Sequence, residues 1–152
     1  MKKYLAFFIL CILVLSCQES DFYIENKIIK NRSWEYSQIP EFKVNIGDAK
    51  AKYDIYIYIR HTNFYPYTNI STIVHVNSQR NINSTFENNI NLVTKTNQWT
   101  GKNTGILYEV EYKLKEDFIF PDTGNYIFSI EQNMKDNPLK EINDIGIKII
   151  KK

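Results

Sequence analysis

The sequence predicts an all-β fold, a single antiparallel β-sandwich. Three observations predict it. Apolar residues recur with a period of two in one segment after another, as half-buried strands require. Tyr (11) and Phe (9) are abundant and Ile is frequent, whereas Ala is scarce, a composition that suits pleated surfaces. No stretch sustains a helical period, so strands follow strands without the helices that a parallel sheet needs.

The elements follow in chain order. Phe42, Val44 and Ile46 alternate with Lys43 and Asn45. Tyr53, Ile55, Ile57 and Ile59 alternate with Asp54, Tyr56, Tyr58 and Arg60. Tyr56 and Tyr58 make this segment apolar on both faces, which predicts a central or covered strand. Ile70, Thr72, Val74 and Val76 alternate with Ser71, Ile73 and His75. A weaker strand signal covers Thr85 to Thr94, and stronger ones cover Ile106 to Lys115, Tyr126 to Gln132 and Ile145 to Ile150. Asn-rich stretches between them supply turns. The segment from Asn133 to Asn143 has room for one short helical turn.

Asp122-Thr123-Gly124-Asn125-Tyr126 has the D-x-G-x-Y spacing of a tyrosine corner, in which a Tyr hydroxyl ties a strand start to the chain upstream. The sandwich is therefore of immunoglobulin-like or jelly-roll-like kind. Phe128 stands where immunoglobulin domains often carry a Cys, which fits a sandwich built without a disulfide.

The first residues are of a different character. Met1-Lys2-Lys3 is a basic start and Tyr4 to Leu15 an apolar run, too short for the roughly 20 residues that cross a bilayer. Ser16-Cys17 follows, and the chain turns polar at Gln18-Glu19-Ser20-Asp21. A small residue before Cys at the end of a signal peptide resembles a bacterial lipobox, which implies cleavage before Cys17 and acylation of its thiol, tethering the domain to the lipid bilayer; the alternative is an ordinary cleaved signal peptide. This divides the chain into a signal peptide over 1–16, a tether over 17–29 and a sandwich over 30–152. Cys11 leaves with the signal and Cys17 carries lipid, so the domain keeps no thiol for a disulfide, a metal site or a nucleophile. Cleavage also removes Lys2 and Lys3, so the 19 basic side chains fall to 17, equal to the 17 acidic ones. This balance gives no sign of the basic excess that a nucleic-acid footprint needs.

No enzymatic constellation is present. His61 and His75 have no metal-ligand spacing, no Ser lies in a G-x-S-x-G elbow, and no glycine loop cradles phosphate. Glu109 and Glu111 share a strand face with Lys113 and Lys115 and read as a solvated surface. No cofactor, metal or small-molecule substrate is indicated.

Two aromatic segments remain as an interaction surface. The turn from Arg60 to Asn69 carries Phe64, Tyr65 and Tyr67 around Pro66, and Trp99 precedes Thr100-Gly101. The structural expectation is that these rings plug one end of the sandwich. The functional one is that Arg60, Phe64, Tyr65, Tyr67 and Trp99 form an exposed contact loop, since aromatics are enriched at interfaces.

The lipobox, YIYIRHTNFYPYTNI (Tyr56 to Ile70), Trp99-Thr100-Gly101, FIFPDTGNYIFSIEQNM (Phe118 to Met134) and DIGIKI (Asp144 to Ile149) occur in the order seen in the GldH family of gliding-motility lipoproteins of the Bacteroidota, which this chain resembles. The Asn-rich stretch from Asn77 to Asn97 matches least. The resemblance implies a cell-envelope lipoprotein required for gliding, a structural component that works with other envelope proteins of the gliding machinery, and it carries over no catalytic residue. The alternative function is a surface lipoprotein that binds a glycan through the aromatic loop. The periplasm-facing placement is favoured. The acidic Glu19 and Asp21 faintly resemble signals that send some lipoproteins to the cell surface.

Overall fold

The alternating segments become the strands of two facing sheets. The computed structural model describes residues 21–80 and 83–152. Its strands are β1 (Asp21–Ile28), β2 (Ser33–Trp34), β3 (Glu41–Ile46), β4 (Tyr53–Thr62), β5 (Asn69–Ser78), β6 (Asn83–Asn91), β7 (Lys102–Thr104), β8 (Leu107–Phe118), β9 (Gly124–Gln132), β10 (Leu139–Lys140) and β11 (Ile142–Lys151). One sheet has the order β1-β11-β4-β8-β7 and the other β3-β9-β5-β6, while β2 and β10 form a small separate pair. All pairings are antiparallel. The chain crosses between the two sheets from β3 to β4, β4 to β5 and β8 to β9, so the fold is a sandwich.

The core lies between the sheets. Ile55, Ile57 and Ile59 of β4 stand beside Ile149, Ile147 and Ile145 of β11, forming a block of six buried isoleucines. Phe42 and Val44 of β3 face Phe128 and Tyr126 of β9, and Val74 and Val76 of β5 face Ile130 and Phe128. Each fully buried side chain of this size contributes about 1.5–3 kcal/mol.

One end, the base, holds the starts of β4 and β9 and the end of β11. Rings close it: Tyr53 lies 5.2 Å from Phe120, and Phe120 lies 4.7 Å from Tyr126 and 4.9 Å from Phe118. The tyrosine corner is here. The Tyr126 hydroxyl donates to the Asp122 carbonyl (2.9 Å) and accepts from the Asp122 N–H (3.3 Å). Gly124 has a φ of +128°, and nothing lies within 4 Å of where its Cβ would stand, so backbone conformation rather than space calls for glycine.

Strand β4 is central in its sheet, as its two apolar faces predict. Two expectations differ from the structure. Residues 21–28 of the expected tether form β1, paired along β11 from Asp21↔Ile150 to Ile28↔Asp144. A bulge between Asp21 and Tyr23 breaks the alternation, and Glu25 and Lys27 point to the inner side at a sheet edge, so the segment reads as polar. The described domain thus includes residue 21, ahead of the expected start at 30. The segment from 133 to 143 holds no helical turn. Pro138 disfavours helix at the residue before it, and Leu139 is buried, pairing with Trp34. The signal peptide and Cys17 lie outside the described residues.

Candidate functional site

The end opposite the base, the top, collects the rings of the aromatic loop. His61 sits near the end of β4, where its ring stacks on Tyr108 of β8 (5.7 Å, 16°) and meets Trp99 edge-on (4.7 Å). Tyr65 lies 5.4 Å from His61, 6.4 Å from Trp99 and 5.9 Å from Tyr67. Five rings from three chain segments thus form one plug. Tyr65 is buried, and its hydroxyl donates to the Asn69 carbonyl (3.1 Å). Burial pushes the Tyr65 hydroxyl well above its ordinary pKa, and a hydrogen bond to Asp136 raises that of Tyr67. His61 Nδ1 lies 2.8 Å from the Thr62 carbonyl, so the proton resides on Nδ1. Its Nε2 is buried without a hydrogen-bond partner. Burial lowers the pKa of His61, which favours the neutral ring.

Thr62 shapes the turn that follows. Its hydroxyl donates to Glu141 Oε2 (2.5 Å) and accepts from the Phe64 N–H (3.1 Å). The Tyr65 N–H returns to the Thr62 carbonyl (3.2 Å), and the Asn63 N–H reaches the Ile106 carbonyl (3.0 Å). These bonds turn Tyr65 inward and Phe64 outward. Phe64 is 71% exposed, and Ile106, in the adjoining β7–β8 turn, is 56% exposed. Two large apolar side chains thus stand in water on a rigid support.

Trp99 is held by backbone. Val93 and Trp99 form an isolated bridge, and the Thr100 N–H donates to the Leu92 carbonyl (2.8 Å). At Gly101, with φ +85°, a Cβ would run into the Glu109 carbonyl and the Val110 side chain. The glycine beside the tryptophan therefore serves close approach to a neighbouring strand.

Arg60 is elsewhere. It lies on the outer face of the five-stranded sheet opposite Asp144 of β11. Its Nε lies 3.0 Å from Asp144 Oδ1 and 2.7 Å from Oδ2, and its Nη2 lies 2.7 Å from Oδ2. The Asn143 amide adds a bond of 2.6 Å, and the carboxylate is wholly buried. The hydrogen bonds that Arg60 donates to Asp144 raise its already high pKa. Along the same face, Tyr58 is buried, bonds to Glu109 and is pushed well above the ordinary phenol range, mainly by burial. Asp54 takes bonds from Lys113 (3.0 Å), Lys152 (3.0 Å) and the Asp117 N–H (2.9 Å). Burial favours its neutral form, but these bonds outweigh it and hold the carboxyl at about 2. This face is a paired ionic lattice, and Arg60 belongs to it rather than to the aromatic loop.

The five residues expected to act together are therefore split. Tyr65, Tyr67 and Trp99 form the plug, Phe64 is presented to solvent, and Arg60 locks two strands. Of the loop's rings, Phe64 is exposed, Tyr67 and Trp99 are half-buried and Tyr65 is buried. Ile106, Tyr108 and His61 complete the site. Tyr108 and Ile106 were visible only as members of a strand segment, because a register carries no signal of which neighbour lies across it. His61 and His75 lie in different sheets, and among the described residues no group of three or more His, Cys, Asp or Glu side chains is placed to hold a metal ion. Among these residues no helix is long and apolar enough to cross a membrane.

The family model described as "GldH lipoprotein" matches residues 21–149. The "Gliding motility lipoprotein GldH homolog" of Christiangramia forsetii is 31% identical over 150 residues, covering 92% of this chain and 90% of the relative. The "Gliding motility lipoprotein GldH" of Flavobacterium johnsoniae is 23% identical over 148 residues, covering 93% of this chain and 91% of the relative. No solved structure matches the chain. The matched span runs from the first residue of β1 to within two residues of the end of β11, so the whole sandwich is shared: the chain belongs to the GldH lipoprotein family of gliding motility.

Proposed function

We propose that this gliding-motility lipoprotein is acylated on Cys17, faces the periplasm, and works without catalysis as a contact component of the gliding machinery. Its partner surface is the top of the sandwich. The observation that carries this reading is the exposure of Phe64 and Ile106 in adjoining turns, joined by the Asn63 N–H bond to the Ile106 carbonyl, beside a plug of five packed rings. Rigid aromatic and aliphatic anchors of this kind dominate the energetics of protein interfaces, and holding them in place beforehand lowers the cost of ordering them on binding. Two chains or more of acyl lipid hold a protein firmly on a bilayer, so an acylated Cys17 keeps this surface in the envelope.

The test uses cells that glide. Cys17→Ala abolishes incorporation of labelled fatty acid and membrane partition, and gliding is lost with them. A Cys17→Ala protein that still incorporated the label would place the anchor elsewhere. Protease added to intact cells leaves the protein intact if it faces the periplasm, and rapid loss beside an intact periplasmic control would contradict that placement.

A further inference from the structure

Strand β1 presents two isoleucines to solvent on one face, with the polar Asn26 between them. Ile24 is 53% exposed and Ile28 is 78% exposed. Register places them on the outer face of the five-stranded sheet, since Ile24 stands opposite Lys148, which stands opposite the outward Tyr56, and Ile28 stands opposite Asp144, which stands opposite Arg60. Ile150, half-buried on the same face opposite Asp21 and Asp54, lies beside the start of β1. Exposed isoleucines on an edge strand are unusual, because edges are ordinarily protected by charge. The remainder of the sheet's outer face is occupied by the ion pairs of Arg60, Asp54, Lys113 and Lys148. The two isoleucines are therefore a local exception.

The chain that precedes β1 says what covers it. From Cys17 to Asp21 there are four residue steps, which reach at most ~14 Å when fully extended. A sandwich anchored at Cys17 cannot move away from the bilayer by more than this. The isoleucines lie along β1, which begins at the leash exit. The sheet order β1-β11-β4-β8-β7 puts this strand at one edge, while Ile106 lies in the turn between β7 and β8 at the opposite edge. Four strand spacings of about 4.8 Å separate the two edges, and Ile28, opposite Asp144 and through it Arg60, lies at the same top end of the sheet as Ile106.

We propose that the sandwich reclines on the membrane along β1, with Ile24, Ile28 and Ile150 seated at the boundary of headgroups and acyl chains. The occupant is the lipid bilayer that carries the protein's own anchor, so this inference rests on acylation of Cys17. Apolar side chains so seated add to the anchor and fix the domain's orientation, since burial scales with apolar area. Phe64 and Ile106 are then turned away from the lipid, towards whatever the top contacts.

The experiment uses the acylated full-length protein in vesicles of bacterial phospholipid. The domain has no cysteine of its own after Cys17, so a single environment-sensitive fluorophore can be placed at Ile28→Cys, Ile106→Cys or Ile119→Cys, all exposed positions. The Ile28→Cys probe shifts to the blue, is quenched by spin-labelled lipid and is shielded from iodide, while the Ile106→Cys probe stays in water. Lipid contact at Ile119→Cys with water at Ile28→Cys would mean that the domain stands on its base, and would overturn the proposal. Excimer formation between Ile28→Cys probes of two molecules would assign these isoleucines to a second copy and overturn it equally. Fatty-acid labelling separates the two readings. An acylated protein with a water-exposed Ile28→Cys probe refutes the reclining orientation alone, and a protein without acyl label refutes the anchor as well.

Discussion

Arg60 and Asp144 face each other across β4 and β11 as a bidentate ion pair whose carboxylate is wholly buried, on the side of the sheet away from the core. The pair fixes the register of the two strands that deliver His61 and Glu141 to the top. Arg60→Ala leaves Asp144 buried with only the Asn143 amide, at a cost of about 3 kcal/mol. Adding Asp144→Ala restores part of the loss, because the stranded charge goes with it. Urea unfolding of the single and double variants checks this, and strict additivity would refute the coupling.

Tyr126→Phe removes a hydroxyl that both donates to and accepts from Asp122 backbone. The expected cost is about 1–2 kcal/mol in chemical denaturation. Gly124→Val is costly for a different reason, since a β-branched residue is strained at φ +128°. Neither change alters lipidation, and gliding falls only in step with abundance. A stable, abundant Tyr126→Phe protein that no longer supported gliding would make this tyrosine part of a contact site.

His61 is neutral in its plug because burial lowers its pKa. The unfolded chain takes up a proton below about pH 6.5 where the folded one does not. Stability is therefore fully present above that pH and declines as the pH falls below it. His61→Phe keeps the ring packing and flattens the melting temperature between pH 6.5 and 5. An unchanged slope in that window would remove His61 as its source.

Asp54 acts at lower pH. Its carboxyl, held at about 2, contributes stability that is complete above the ordinary carboxylate range and disappears as the pH falls from about 4 towards 2. Asp54→Asn lowers the melting temperature at neutral pH, and its difference from the parent shrinks at pH 2. A difference constant across the acid limb would contradict this.

Legibility in the sequence followed locality. The corner at Asp122 and Tyr126 joins residues four positions apart, so its spacing could be read directly. The long strands were visible because one buried face imposes a period of two. The two-residue strands β2 and β10 carry no period, and only burial of Trp34 against Leu139 defines them. Arg60 was grouped with its neighbours in the chain, but its partner lies 84 positions away. The split of Phe64 from Tyr65 depends on the Thr62 bonds to Glu141 and to the Phe64 N–H, which only the assembled turn shows.

The most direct measurement is the gliding of cells that carry Phe64→Ala together with Ile106→Ser. Both side chains are exposed, and surface changes of this kind shift stability little. The account predicts a protein of normal abundance, acylated and in the membrane, whose cells no longer spread and from which co-purifying envelope protein is lost. Spreading at the parental rate by cells holding this double variant would contradict the assignment of the top of the sandwich as the working surface.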